Sequence, residues 1–268
     1  MLNGTAGDDA GVRAAPTQRR ERVRRQVIET GFARIEDLAD ELQVSIMTVH
    51  RDLDVLESEG WLIKIRGGAT ANPAACVHAG VREREQALAA EKSAISAAAA
   101  SLLAPQQSVF LDDSTTALAM VPHLQQSLPS MVTTNFIPVL RALSTSPNIV
   151  VNALGGHYSP QSEACFGMQT LEAVAQVHAD IAFMSTTAVM GGACYHRSEH
   201  TVMVKRALMA HATTSVLLVD HAKFGRPATQ LLAMLTDFDV VVTDSGIDPA
   251  DLAALDAIDV GVIVAPLS

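Results

Sequence analysis

The chain has 268 residues, of which 49% are hydrophobic, 18% charged and 4% aromatic, with 16 glycines and 11 prolines. This composition excludes a disordered, collagen-like or disulfide-stapled chain, and the length suits one large domain or two. The formal net charge of −10, taken alone, argues against nucleic acids and anionic membranes as partners.

Cysteine usage and hydropathy predict the compartment. Cys76, Cys165 and Cys194 are far apart and form no C-x-x-C pair, which is typical of reduced thiols. The N-terminus has no apolar leader segment, and the longest near-apolar stretch, residues 93–104, is shorter than the roughly 20 residues that span a bilayer. We therefore expect a soluble cytoplasmic protein without a membrane partner or a cofactor.

The first 72 residues predict three helices in succession. The expected helices run from Gln18 to Thr30, from Ile35 to Leu42, and from an N-cap at Ser45 to about Glu59, with Gly31 and Gly60 as terminal glycines. The segment holds 10 basic and 12 acidic residues, yet five of its arginines lie within positions 19–25. Such a run is either a solvated helix face or part of a surface that binds phosphates.

The third helix has a clear buried stripe, because Val49, Leu53 and Leu56 recur at i, i+4 and i+7. Met47 and Arg51 then point away from the core. Directly after Gly60, the sequence WLIKIRGGAT predicts a short hairpin. Three helices followed by a basic hairpin indicate a winged helix-turn-helix, whose third helix suits the major groove of DNA. The predicted DNA contacts are Arg19, Ser45, Met47, Thr48, His50, Arg51, Lys64 and Arg66, the last two reaching phosphates from the wing.

Beyond Asn72 and Pro73, an Ala-rich connecting helix is expected over 82–103, and then strands alternate with helices. Seven apolar, β-branched segments predict buried parallel strands. They lie at 108–112, 131–134, 148–154, 181–185, 215–220, 240–243 and 260–265. Polar residues follow most of them, and the carboxyl ends of parallel strands converge on one cleft, so a ligand site is expected there.

The most informative loop of this cleft is D-D-S-T-T at 112–116. Its amides and hydroxyls at a helix start suit a phosphate, although Ser114 acting only as an N-cap explains the same pattern. The chain has only four lysines. Lys223 follows a strand end, where it would neutralise an anion, whereas Lys205 fits a solvent-facing position as well as a site position.

Both halves resemble the DeoR-type (deoxyribose-operon repressor) family of bacterial transcription regulators. In the first 72 residues, the sequence E-D-L-A-D-E-L-Q-V-S-I-M-T-V-H-R-D-L and the wing that ends with G-G-A resemble the family's DNA-binding domain. In the second half, the resemblance lies in Asp113–Thr116, in Gly155-Gly156 and in the segment around Lys223. The resemblance implies a mostly parallel α/β effector domain related to ribose-phosphate isomerases and CoA transferases. It also implies a phosphorylated sugar as effector, operator DNA as partner, and a homo-oligomer, either a dimer or a tetramer. The implied effector residues are Asp113, Ser114, Thr115, Thr116, Asn135, Gly155, Gly156, Lys205 and Lys223.

Two positions depart from this family pattern. His50 stands where arginine is usual, which removes a charged contact with DNA and puts the operator sequence or affinity in doubt. Residues 184–189, M-S-T-T-A-V, replace a Gly-containing segment with bulkier residues, which affects the shape of the effector site.

Three other interpretations fit parts of the sequence. Residues 196–200 fit the zinc pattern H-x-x-E-H, but they straddle a predicted loop and helix start, so no metal is expected. A sugar-phosphate isomerase-like enzyme with an accessory DNA-binding head would use Asp112, Asp113 or Asp220 as a base, but an isomerase has no need of such a head. A protein-interaction adaptor leaves Arg51 and the basic wing unexplained. We therefore predict a repressor that is not an enzyme, built as a tail (1–17), a winged helix-turn-helix (18–72), a linker (73–90) and an effector domain (91–268).

Overall fold

Three helices and a three-stranded antiparallel sheet form the N-terminal part of the computed structural model, which describes residues 16–30, 32–58, 61–71 and 80–267. Its elements are α1 (Pro16–Thr30), β1 (Phe32–Arg34), α2 (Ile35–Leu42), α3 (Ile46–Ser58), β2 (Leu62–Ile65) and β3 (Gly68–Ala71). The sheet has the order β1-β3-β2. All three predicted helices and the hairpin are confirmed, and β1 is an addition that the sequence does not predict.

The predicted buried stripe of α3 forms the centre of this part. Val49 and Leu53 are fully buried and Leu56 nearly so, and they pack in one cluster with Leu38 of α2 and Val23 of α1. The terminal glycines predicted at 31 and 60, residues 1–15 of the predicted tail (1–17) and residues 73–79 of the predicted linker (73–90) lie outside the described residues. The last two residues of the predicted tail, 16 and 17, are the first turn of α1.

The chain divides into two compact units, residues 1–79 and residues 80–268, called the head and the body below. The body begins with α4 (Val81–Gln86) and α5 (Ala89–Ala99). A single helix was expected over 82–103, but Leu88 has a left-handed φ of 52°, which breaks it into two. Both helices belong to the body, although all of α4 and the first two residues of α5 lie in the range 73–90 that was predicted as a linker.

A seven-stranded parallel sheet forms the body, and all seven strands are the predicted ones. They are β4 (Ser108–Leu111), β5 (Met131–Thr134), β6 (Val150–Ala153), β9 (Ala179–Met184), β12 (Ala212–Leu218), β14 (Val240–Asp244) and β15 (Gly261–Ala265). Their order is β15-β14-β12-β9-β4-β5-β6. The chain adds β5 and β6 on one side of β4, and then adds β9, β12, β14 and β15 on the other side. The topological switch point therefore lies between β4 and β9. Open α/β sheets bind ligands at such a point.

The remaining elements cover and extend this sheet. The helices are α6 (Thr115–Leu118), α7 (Val121–Ser127), α8 (Ile137–Leu143), α9 (Met168–Val174), α10 (Glu199–Ala210) and α11 (Pro249–Asp256). Two small antiparallel sheets join β7 (His157–Ser159) to β8 (Ala164–Phe166), and β10 (Ala188–Met190) to β11 (Ala193–His196) and β13 (Gln230–Met234). The sequence predicts neither of the two small sheets. In the described parts of the chain, no helix is long and apolar enough to cross a membrane.

Candidate functional site

The start of α3 presents polar and exposed side chains, as the sequence predicts. Ser45 caps the helix, because its Oγ accepts a hydrogen bond from the Thr48 amide at 3.2 Å and lies 2.9 Å from the Thr48 Oγ1. Met47 is 62% exposed, Arg51 is exposed, and His50 is half-buried. The helix therefore shows one face to solvent over its first two turns while its opposite face fills the core.

Two of the residues predicted to contact DNA, Arg19 and Lys64, form ion pairs within the head. The Arg19 Nε donates to the Asp52 carboxylate at 2.5 Å, and this hydrogen bond raises the pKa of Arg19. The pair is largely buried and holds α1 against α3. On the wing, the Lys64 ammonium pairs with Asp54 of α3, whereas Arg66 in the hairpin turn is exposed.

Asp112 lies at the switch point and connects four donors. Its Oδ1 accepts from the Ser114 amide at 2.9 Å and from the Ser114 hydroxyl at 2.5 Å. Its Oδ2 accepts from the Ser185 amide at 2.7 Å and from the Lys205 ammonium. Asp112 is almost fully buried, so it fixes the loop after β4 to the end of β9 and to α10.

Lys205 is buried among carboxylates and does not face solvent. Its Nζ pairs with Asp112 and lies 3.0 Å from the Asp113 Oδ1. Burial works against the charged form of Lys205, but attraction by the two carboxylates outweighs it and raises the pKa of Lys205. Burial alone would raise the pKa of Asp113, but attraction by Lys205 outweighs it and lowers this pKa. The structure excludes the solvent-facing position that the sequence left open for Lys205, because the side chain is buried against Asp112 and Asp113.

Lys223 occupies the position that the sequence predicts for a cation beside a strand end. Its Nζ lies 3.2 Å from the Asp220 carboxylate, 2.8 Å from the Ser185 Oγ and 3.4 Å from the Thr116 Oγ1. These contacts join the ends of β12, β9 and β4 at one point. An ammonium between two hydroxyls suits an anionic group, and the Asp220 carboxylate offsets part of its charge.

The helix that follows D-D-S-T-T is only four residues long, so its dipole adds little to anion binding. Ser114 is its N-cap, because its Oγ accepts from the Ala117 amide at 3.0 Å. Thr115 is directed elsewhere, since its hydroxyl donates to the Arg84 carbonyl at 3.2 Å. The start of this short helix is therefore weak support for the phosphate that the sequence predicts there.

Asn135 and the two glycines lie at the ends of β5 and β6. The Asn135 Nδ2 donates to the Cys165 carbonyl at 2.9 Å, while its fully buried Oδ1 has no partner in the part of the chain that is described. The Gly155 carbonyl accepts from the Thr170 hydroxyl at 2.7 Å. Gly156 has a φ of 145°, and a Cβ there would collide with Thr170, so this position needs glycine.

The sequence prediction does not include three charged or titratable residues that influence Asp113 or Lys223 electrostatically: Arg84, Lys92 and His196. Lys92 is 6% exposed, and burial, followed by repulsion from Lys223, lowers its pKa to about 8. Its burial had a signal in the sequence, because Lys92, Ile95 and Ala99 share one face of α5 at i, i+3 and i+7. Burial, followed by repulsion from Lys205, lowers the pKa of His196 to about 4, so this imidazole is neutral at pH 7.

The H-x-x-E-H segment does straddle a strand end and a helix start, as expected. His196 ends β11, Ser198 caps α10, and Glu199 and His200 are exposed. Within the described residues, no group of three or more histidines, cysteines, aspartates or glutamates is placed to hold a metal ion.

Two family models match the chain. The DeoR-like helix-turn-helix domain matches residues 19–74, and the DeoR C terminal sensor domain matches residues 88–245. Together these matches span most of the head and most of the body.

Curated relatives match along most of their own length. An uncharacterized HTH-type transcriptional regulator of Escherichia coli strain K12, YgbI, is 32% identical over 93% of this chain and 98% of its own. The HTH-type transcriptional repressor GlcR of Bacillus subtilis is 31% identical over 78% of this chain and 81% of its own. The glycerol-3-phosphate regulon repressor of Escherichia coli is 26% identical over 85% of this chain and 91% of its own.

Among solved structures, similarity is lower. The chain of eIF2B delta from Chaetomium thermophilum aligns with a TM-score of 0.43 at 13% identity, over 73% of this chain and 62% of that chain. Ribose 5-phosphate isomerase A from Methanocaldococcus jannaschii aligns with a TM-score of 0.37 at 14% identity, over 50% of this chain and 53% of that chain.

Proposed function

This chain belongs to the DeoR family of transcriptional regulators, and we propose that it represses transcription by binding operator DNA through α3 and the wing. The observation that carries this proposal is the exposed start of α3, opposite a fully buried stripe. Ser45, Met47, Thr48, His50 and Arg51 lie on or beside this face and would enter the major groove.

The wing and α1 would contribute to the same DNA surface in different ways. Arg66 is exposed and available for a phosphate. Lys64 would have to exchange Asp54 for a phosphate to make such a contact. Arg19 is held by Asp52, so its main contribution is to position α3.

We propose further that the ligand of the body is a phosphorylated sugar or a related metabolite. Lys223 with the hydroxyls of Thr116 and Ser185 supports an anionic group at the switch point, and a relative is named for the regulon of glycerol 3-phosphate. The effector would favour one state of the protein over another and so change operator affinity. A regulator of this kind works in the cytoplasm, as a two-fold dimer or a tetramer that reads paired half-sites.

Catalysis is not part of this proposal. The carboxylates that an isomerase would use as a base are neutralised, since Asp112 and Asp113 pair with Lys205 and Asp220 pairs with Lys223. The named relatives are transcriptional regulators and repressors.

The DNA-binding proposal is tested on an operator selected from random duplexes with the full-length protein. Arg51→Ala should lower the affinity for that operator by about 1–3 kcal/mol if the side chain contacts a base. Arg82→Ala, which removes an exposed arginine of α4, is the matched control and should leave binding unchanged. Equal affinity of Arg51→Ala and wild type in a fluorescence-anisotropy titration would refute the assignment of α3.

The effector proposal is tested with a panel of sugar phosphates added to the protein–operator complex. A compound of this panel should release the operator from wild type but not from Lys223→Ala, whose operator affinity without effector should be unchanged. If Lys223→Ala releases DNA at the same concentration as wild type, the effector does not bind at this cleft.

A further inference from the structure

The first turn of α3 carries two large apolar side chains on the surface of the head. Ile46 begins the helix and is 50% exposed, and Met47 follows it with an exposure of 62%. In the described part of the head, neither side chain belongs to the buried cluster around Val49 and Leu53. The core of the head therefore does not explain why this turn is apolar.

The two side chains lie where a recognition helix contacts bases. Recognition helices touch base edges with their N-terminal residues. Because the helix turns by about 100° per residue, Met47 lies at the centre of the face opposite the buried stripe, and Arg51 lies one turn further along that face. Ile46 lies beside Met47. We therefore expect this apolar turn to face base edges in the complex with DNA.

The polar residues around this turn offer few free groups to the bases. The Ser45 Oγ accepts from the Thr48 amide at 3.2 Å and lies 2.9 Å from the Thr48 Oγ1, so the two hydroxyls bond to each other. His50 is half-buried. Arg51 is exposed and suits the O6 and N7 acceptors of a guanine. The first turn itself thus presents mainly apolar surface.

The C5-methyl group of thymine is the feature of the major groove that matches apolar surface. The other bases present hydrogen-bond donors and acceptors there. A methionine or isoleucine that covers a donor or an acceptor removes its water without replacing the hydrogen bond, which costs free energy. Against a methyl group the same side chain gains free energy, because apolar surface leaves water on both partners.

We propose that Ile46 and Met47 select thymine in the operator by packing against its C5-methyl group. This inference rests on the proposed function, because it concerns the face of α3 that would enter the major groove. Four residues of helix span about 6 Å, or about two base pairs, so the selected thymine lies within about two base pairs of the base that Arg51 contacts. A 5-methylcytosine carries the same methyl group and is accepted better than cytosine at this position.

The test uses the full-length protein and the operator selected from random duplexes. Each thymine is replaced in turn by deoxyuridine, which removes the methyl group and leaves the hydrogen-bonding edges of the base pair intact. At the selected thymine, this replacement should weaken binding by wild type about fourfold, the effect of one methyl group that returns to water. In the double variant Ile46→Ala/Met47→Ala, the thymine operator should be bound more weakly, and the replacement should have almost no further effect.

Two controls accompany this comparison. Met168→Ala removes a methionine that is 67% exposed at the start of α9 in the body, and it should keep the affinity and the deoxyuridine effect of wild type. Cytosine at the sensitive position should weaken binding by wild type, and 5-methylcytosine there should recover part of the loss, because these two bases differ only in the methyl group. The double variant should recover nothing with 5-methylcytosine.

The outcomes separate this inference from the proposed function. If no deoxyuridine replacement weakens binding by wild type, or if each weakens wild type and the double variant equally, the inference is overturned. A loss of affinity in Arg51→Ala then still supports α3 as the helix that contacts DNA. If Arg51→Ala and the double variant both bind the operator like wild type, α3 does not contact the bases, and the DNA-binding half of the proposed function fails with the inference.

Discussion

Removing the positive charge of Lys205 tests whether the buried ion cluster holds the body together. In Lys205→Met the side chain keeps most of its length and an apolar stem, while Asp112 and Asp113 lose their cation. Both carboxylates are more than nine-tenths buried, and breaking such a pair costs about 3–5 kcal/mol. With a urea m value of about 2 kcal/mol/M, the midpoint should fall by about 2 M.

The two units can be followed separately in this experiment. The chain has one tryptophan, Trp61, which lies in the head, so its fluorescence reports on the head. Far-UV circular dichroism reports on both units. Lys205→Met should lower the urea midpoint seen by circular dichroism and leave the fluorescence transition in place.

The pH dependence fixes the sign of the effect. The pKa of Asp113 is lowered from 3.8 and that of Lys205 is raised from 10.5, so the stabilisation is complete between these values. It is lost as the pH falls below about 3.8 and as it rises above about 10.5. Wild type should gain stability as the pH rises from about 4 to 6.5, because His196 stays neutral in the folded state and takes up a proton on unfolding. In Lys205→Met the unpaired carboxylates hold protons in the folded state, so this gain should shrink or reverse.

A second substitution tests whether the unpaired carboxylates cause the loss of stability in Lys205→Met. Asp113→Asn added to Lys205→Met removes one unpaired charge and should recover part of the lost stability, because Asp112 keeps its contacts with Ser114 and Ser185. If the double variant is no more stable than Lys205→Met, or if Lys205→Met costs less than about 1 kcal/mol, the cluster does not stabilise the body as an ion cluster.

Three further predictions concern single side chains. Leu53→Ala should destabilise the head by about 2–5 kcal/mol, seen as an earlier tryptophan fluorescence transition, since Leu53 is fully buried in α3; an unchanged transition would contradict the core assignment. Arg19→Met should destabilise the head by about 1–3 kcal/mol, because it leaves the buried Asp52 carboxylate unpaired. Adding Asp52→Asn to Arg19→Met should restore this stability. If the restored double variant still binds the operator less well than wild type, Arg19 contacts DNA directly. Gly156→Ala should destabilise the body by more than about 1 kcal/mol in thermal unfolding, because its positive φ and its contact with Thr170 both oppose a Cβ, and a stable variant would rule out that geometry.

The strands of the large sheet and the helices of the head could be predicted because their signals are local. The seven parallel strands are short apolar runs, and α3 is defined by a cap at Ser45 and a stripe of three apolar residues. The small antiparallel sheets have strands of only three to five residues, and their pairing depends on distant segments, as in β11 with β13. Local patterns do not contain that information.

The cleft shows the same limit at the level of single residues. D-D-S-T-T and Lys223 could be located at strand ends from the pattern alone. The burial of Lys205 could not, since its partner Asp112 lies 93 residues earlier in the chain. The separation of α4 from α5 could not be predicted either, because it depends on the left-handed residue Leu88, which no proline or glycine marks.

The distances along the chain between the cleft residues also determine when the site exists during synthesis. Thr116 and Lys223 are 107 residues apart, and Asp112 and Ser185 are 73 residues apart. Ribosomes release the N-terminal part first, so every residue of the head has been made well before the last lysine of the cleft is added. A nascent chain that ends before Lys223 already has the proposed DNA-contacting residues of the head, while the proposed effector site is still incomplete.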